Sequence, residues 1–189
     1  MLSRAGYVLI ALAAVATAAA AVVLPSEHSR GERPALVLTA KRGSELGLQT
    51  SSTGDPILTA PGLVPGATAT GQVQVRNTGA STLALKLVRR HLVDVPGPNG
   101  GKLSDALQVQ ILQVRRRHRL DKPRTAFAGS VTHLREIRLR KLKPHVKRSY
   151  QFVVSMPDSG LPSSRSGGDN AYQGASASVD FVWQALPNG

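Results

Sequence analysis

The side chains that could do chemistry are few and scattered. Five histidines, His28, His91, His118, His133 and His145, are spread along the chain, and no H-E-x-x-H pair sets two of them on one helical face. Zinc needs several neutral or anionic ligands converging on one point, and the arginines and lysines flanking three of these histidines oppose that. Asp94, Asp105, Asp121 and Glu136 stand singly among cations, where carboxylates ordinarily form surface ion pairs. A Ser-His-Asp set can be picked from such a chain, but no G-x-S-x-G context supports one. The absence of cysteine removes thiol nucleophiles, disulfides and thiolate-bound zinc together. The expectation is a protein that is not an enzyme, with no catalytic residues, no metal site and no cofactor.

Charge is the stronger chemical signal. The 189 residues carry a net charge of +13. The segment Lys86 to Arg148 holds 17 basic and 4 acidic residues, and the rest of the chain has seven of each. The whole excess therefore lies in the middle third, which favours anionic partners with salt-sensitive affinity. Arg115, Arg116, Arg117, Arg119, Arg138, Arg140, Lys141, Lys143, Lys147 and Arg148 are the candidate polyanion contacts. The bland alternative for the run at 115–119 is a solvated hairpin tip or strand face that discourages edge pairing. Phe127 is the only Phe, Tyr or Trp between Lys86 and Arg148, so the base stacking that marks nucleic-acid readers is missing and no specific nucleic acid is expected.

The elements that must position these groups read as β. Arg4 precedes an apolar run from Ala5 to Leu24 with small residues at Ala18 and Ala20, the pattern of a signal peptide or, read otherwise, of a membrane anchor through residues 5–24. Either way the remainder is expected to be secreted or displayed at the cell surface. Residues 25–34 are polar and breaker-rich, a linker, and 35–189 are expected to form one domain. The apolar run Ala35 to Thr39 reads as a first strand. Gly71 to Asn77 alternates, with Val73 and Val75 on one face and Gln72, Gln74 and Arg76 on the other, the period of a half-buried strand. Leu83, Leu85 and Leu87 continue the pattern beyond a turn, and 96–101 (PGPNGG) is a loop. Leu107, Val109 and Ile111 alternate, as do Tyr150, Phe152 and Val154; Ala175, Ala177, Val179, Phe181 and Trp183, or the opposite set, share a face of the last strand. Segments 107–120 and 134–143 also fit helical spacing; β neighbours and the alternation of Ile137 and Leu139 with Arg138 and Arg140 favour strands. Short strands with regular turn signals imply an all-β, jelly-roll-like antiparallel sandwich behind an N-terminal hydrophobic helix.

Four stretches carry a family likeness: LVPGATATGQVQVRNTGAS (63–81), GGKLSDALQVQI (100–111), LRKLKPHVKRSYQFVVSMPD (139–158) and DNAYQGASASVDFVWQA (169–185). In order and spacing they resemble the TasA/camelysin family of exported bacterial surface and matrix proteins, in the divergent form of high-GC Gram-positive bacteria. The residues that carry it are Pro65, Gly66, Asn77, Gly79, Pro144, Tyr150, Phe152, Pro157, Asn170, Tyr172, Gln173, Gly174, Phe181 and Trp183. His145 departs from the pattern, standing where the family usually has glycine, as does the arginine density of 115–148. The resemblance implies a cell-surface, biofilm-matrix or spore-coat protein, able in some members to form fibres in which an N-terminal segment completes a neighbour's sheet. By analogy the donor here would be Ala35 to Thr39 and its flanks. The alternatives are a basic secreted module for anionic wall polymer or lipid headgroups and, from the camelysin label, a metallopeptidase, against which the scattered histidines weigh. Tyr172, Gln173 and Gly174 are read as a structural lead-in to the last strand, with Gly174 supplying an unusual backbone angle, and Trp183 as a core or half-buried residue.

Overall fold

A computed structural model describes residues 35–42, 47–51, 56–114, 122–160 and 168–187. The hydrophobic segment 1–24, the linker 25–34 and the basic run 115–119 lie outside the described residues. The strands are β1 (Ala35–Arg42), β2 (Leu48–Thr50), β3 (Pro56–Ala60), β4 (Thr68–Asn77), β5 (Leu83–Val95), β6 (Gln108–Val114), β7 (Arg124–Ser130), β8 (Glu136–Arg138), β9 (Lys147–Ser155) and β10 (Ser176–Pro187). A one-turn helix α1 (Leu103–Ala106) precedes β6, and a 3-10 turn (Gly168–Tyr172) precedes β10.

Among the described residues the strands form two five-stranded sheets, ordered β3-β1-β10-β5-β8 and β2-β4-β9-β6-β7. Without β1 and β2, the order β3-β10-β5-β8 over β4-β9-β6-β7 is that of a jelly roll, an architecture of eight strands and two Greek keys. The protein is an all-β sandwich. Both ambiguous segments contain strands, β6 within 107–120 and the three-residue β8 within 134–143.

Period-two alternation sends Val73 and Val75 of β4, Val109 and Ile111 of β6, and Tyr150, Phe152 and Val154 of β9 into the core from one sheet. Leu36, Leu38, Leu85, Leu87, Val179, Phe181 and Trp183 meet them from the other. Aromatic side chains are scarce, and four of the seven form two pairs that bridge the sheets. Tyr150 lies 5.0 Å from Trp183 and Phe152 lies 5.2 Å from Phe181 between ring centroids, tilted by 44° and 40°. Tilted contacts at this spacing add about 1 kcal/mol each beyond the area they bury. The Y-x-F and F-x-W spacings are thus one device seen from two sheets, and Trp183 is fully buried.

β5 contains an irregularity that alternation alone does not foresee. Between the pairs Asp180↔Arg90 and Ser178↔Val93, two residues of β5, His91 and Leu92, oppose the single Val179, and His91 adopts φ +46°. A bulge of this kind reverses the parity of the strand. Odd residues face inward up to Leu87, whereas beyond the bulge Asp94 lies opposite the buried Ala177. There the Asp94 carboxylate accepts from the Ser104 backbone N–H at 2.9 Å and the Ser104 hydroxyl at 2.6 Å, fixing the start of α1.

Candidate functional site

Two features combine position with chemistry: the placement of β1 and the segregation of charge. β1 lies between β3 and β10, antiparallel to β3 and parallel to β10, in a fold whose other ladders are antiparallel. It is an added strand wedged where the first and last strands of a jelly roll would otherwise face each other. Its register against β10 runs from Ala35↔Ser176 to Arg42↔Trp183, and against β3 from Leu36↔Ala60 to Thr39↔Pro56. Leu36 and Leu38 are wholly buried. Removing β1 would open two strand edges and uncover the core beneath two leucines.

The charges divide between the two ends of the sandwich. At one end β4 finishes at Asn77, β5 starts at Leu83, β8 finishes at Arg138 and β9 starts at Lys147. Arg76, Arg138, Arg140, Lys141, Lys143 and Lys147 are exposed there. Glu136 is the carboxylate described nearby, bonded to Lys86 at 3.0 Å. The opposite end carries Asp94, Asp105, Asp158 and Asp169 with Lys102. Arg89, Arg90 and Arg135 lie between, as does Asp180, the cross-strand partner of Arg90.

The candidate polyanion residues do not behave alike. Arg138, Arg140, Lys141, Lys143 and Lys147 gather at the basic end with their side chains exposed. Arg148 is engaged inside the molecule: its guanidinium donates to the Arg140 carbonyl at 2.6 Å and the Lys141 carbonyl at 2.8 Å. It therefore holds the loop that displays the others and is no free contact. Arg115, Arg116, Arg117 and Arg119 lie outside the described residues.

Sequence reasoning missed Arg76 as a member of this group. It is the direct cross-strand partner of Lys147 and of Gln49. With Thr50, Ser51 and Gln74, these three line a recess of about 240 Å³ on the outer face of β2, β4 and β9. The alternation of 71–77 already put Gln74 and Arg76 on one face, but only the register brings Lys147 to it.

The residues carrying the family likeness sit at structural joints. Asn77 is fully buried, with its amide donating to the Ser81 and Leu142 carbonyls at 2.7 and 3.1 Å while its oxygen accepts from the Gly79 N–H at 2.9 Å. Pro65-Gly66 and Pro144-His145 are matching turns closed by Ala67 N–H to Val64 carbonyl (2.9 Å) and Val146 N–H to Lys143 carbonyl (3.3 Å). In both the residue after proline is left-handed, φ +78° at Gly66 and +59° at His145, the type II pattern. That demand explains why glycine suits position 145. Pro157 is exposed just beyond β9. At the far end Asn99 donates to the Asn170 carbonyl at 2.8 Å, Gln173 to the Asn170 side chain at 2.8 Å, and the Ala175 N–H to the Tyr172 carbonyl at 3.1 Å. Gly97 fits because a Cβ there would stand 1.9 Å from the Gln173 carbonyl oxygen. Gly174 takes φ +69°.

Among the described residues no three His, Asp or Glu side chains converge as metal ligands. No family model matches the sequence, and no curated protein matches it. Among solved structures the chain is similar to AvmM, described as catalysing macrocyclisation in alchivemycin A biosynthesis, at 9% identity and a TM-score of 0.34 over 77% of this chain and 91% of that one. A likeness at that level carries no argument about activity.

Proposed function

We propose that this is an exported structural protein of the cell surface or biofilm matrix, of the TasA/camelysin kind, which self-associates by donating β1 to a neighbouring copy. The observation that carries this reading is the placement of β1. A strand at the start of the described fold, wedged between two others, makes contacts that an identical strand from another copy can replace one for one, so exchange changes connectivity without changing the interface. The vacated edges drive its replacement, because unpaired strand edges and exposed leucines are both unfavourable.

The test uses the full chain. Concentration-dependent polymers are expected by electron microscopy and light scattering, and deletion of residues 25–40 should abolish them. Because that deletion could unfold the domain, a second variant keeps every strand. Val37→Cys with Ser178→Cys places two thiols at directly paired positions of β1 and β10 in a chain with no other cysteine. Oxidation of assembled protein should then give a ladder of covalent multimers on a non-reducing gel. Bridged monomer alone, or a full chain that stays monomeric at every concentration, would overturn the proposal.

A second reading, that the basic end engages an anionic envelope polymer or lipid headgroups, is favoured by the gathering of exposed cations at one end of the sandwich.

A further inference from the structure

We infer that the recess on β2, β4 and β9 is a binding site for an acidic glycan, a polyhydroxylated chain bearing carboxylate or phosphate groups; this rests on the second reading above and names its site and ligand. Arg76 and Lys147 are directly opposed on adjacent strands, and both are exposed. Like charges in that relation repel. Among the described residues neither side chain has an ion-pair or hydrogen-bond partner, and no carboxylate lines the recess. An anion seated between the two would turn their mutual repulsion into two charge-assisted hydrogen bonds.

The surroundings select a sugar over other anions. The row Gln49–Arg76–Lys147 crosses three strands, a span of about 10 Å at ordinary strand spacing. Beside it runs Ser51, Gln74 and Ser149, and beyond that the pair Gln72 and Gln151. Ser51 Oγ accepts the Gln74 backbone N–H at 3.0 Å, which leaves its own O–H and the Gln74 carboxamide to face a ligand. Amides and hydroxyls in parallel rows match the donor and acceptor pattern of sugar hydroxyls. None of these residues is aromatic, so nothing there stacks a base. Among these described residues none is apolar, so they offer no side chain to insert into a bilayer.

The experiment measures binding of the full chain to polygalacturonate, to poly(glycerol phosphate) and to neutral dextran. Both anionic polymers are candidates, and the tighter of the two tells carboxylate from phosphate. Arg76→Gln with Lys147→Gln should weaken the tighter interaction by about ten-fold or more, as expected for losing two charged hydrogen bonds. Lys141→Gln with Lys143→Gln removes the same charge outside the recess and should weaken it by only about two- to three-fold, the diffuse electrostatic share. Gln74→Leu, which leaves charge unchanged, should lose about three- to ten-fold through one hydrogen-bonding group. Each variant is checked for an unchanged melting temperature, and all these side chains sit at or near the surface. Equal losses from the two double variants would overturn the recess and leave the second reading standing. Failure to bind either anionic polymer would overturn the recess and the envelope-polymer form of the second reading, and equal binding of dextran would overturn the requirement for an anion.

Discussion

At the scale of single residues, the two proline turns form a matched pair. Gly66 and His145 follow prolines 65 and 144, and both are left-handed. A side chain in that region costs about 1–2 kcal/mol, although histidine is among the residues that tolerate it better. A Cβ at Gly66 would meet nothing within 4 Å, so Gly66→Ala isolates the backbone effect. It should lower stability by about 1 kcal/mol, and His145→Gly should raise it by up to about 1 kcal/mol, less the entropy glycine adds to the unfolded chain. Urea midpoints with unchanged slopes would check both; a destabilised His145→Gly would mean that the imidazole makes a contact worth more than its strain. Tyr150 offers a second case. Its hydroxyl is buried and makes no hydrogen bond of good geometry, with the Arg148 guanidinium as the polar group that reaches toward it. Burial pushes its pKa above the ordinary value, and the nearby Arg148 guanidinium opposes that shift only in part. Since unfolded tyrosine ionises near pH 10, the neutral buried form contributes stability that is complete below about pH 10 and is lost as pH climbs toward the raised folded value. Tyr150→Phe should leave neutral-pH stability unchanged or increase it by about 1 kcal/mol, and should flatten the alkaline decline. A loss of more than 1 kcal/mol at pH 7 would show that the Arg148 guanidinium donates a full hydrogen bond to the hydroxyl.

At the scale of elements, legibility followed amphipathicity. Strands β4, β6, β9 and β10 present one buried and one polar face, so their alternation was plain in the sequence. β3 buries both Ile57 and Leu58, which erases the period, and β2 is three residues long. β7 has no fully buried residue and so no apolar row to read. β5 was legible to Leu87 and then lost, because the bulge at His91 changes which parity faces the core. The parallel pairing of β1 joins residues about 140 positions apart, and no local pattern encodes it. The candidate site divides in the same way: the cations were visible as composition, but the opposition of Arg76 and Lys147 follows from register and the engagement of Arg148 from the path of the loop whose carbonyls it reaches. The bulge makes a prediction at this scale. Deleting His91 would let Leu92 oppose Val179 while Arg90 and Val93 keep their partners, so every inward side chain stays inward. Deleting Lys86 would force Leu83 and Leu85 onto the wrong face, at about 1.5–3 kcal/mol for each leucine. The first deletion should therefore give a folded protein within about 2 kcal/mol of the parent, and the second should unfold most of the population. Circular dichroism melts would compare them, and equal damage from both would contradict the bulge.

At the scale of the whole molecule, charge would govern the self-association proposed above. A net charge of +13 acts on every approach, whereas the division into basic and acidic ends acts only near contact. Two such molecules about 40 Å apart, roughly the diameter of a domain this size, repel by about 18 kcal/mol in unscreened water. At about 0.01 M salt, where the screening length is about 30 Å, several kcal/mol of that survives. At about 0.15 M the screening length is about 8 Å and the repulsion falls to about 1 kcal/mol. The attraction between a basic end and an acidic end at contact loses less, because its charges are closer together than the screening length. Self-association of the full chain should therefore be suppressed at low salt, strongest near physiological ionic strength, and weaker again toward about 1 M, where the screening length of about 3 Å reaches even contacting groups. Light scattering across that series would follow it. A steady decline from the lowest salt upward would mean that the opposed ends outweigh the net charge. A steady rise to the highest salt would mean that apolar burial beneath the exchanged strand governs assembly and the poles contribute nothing.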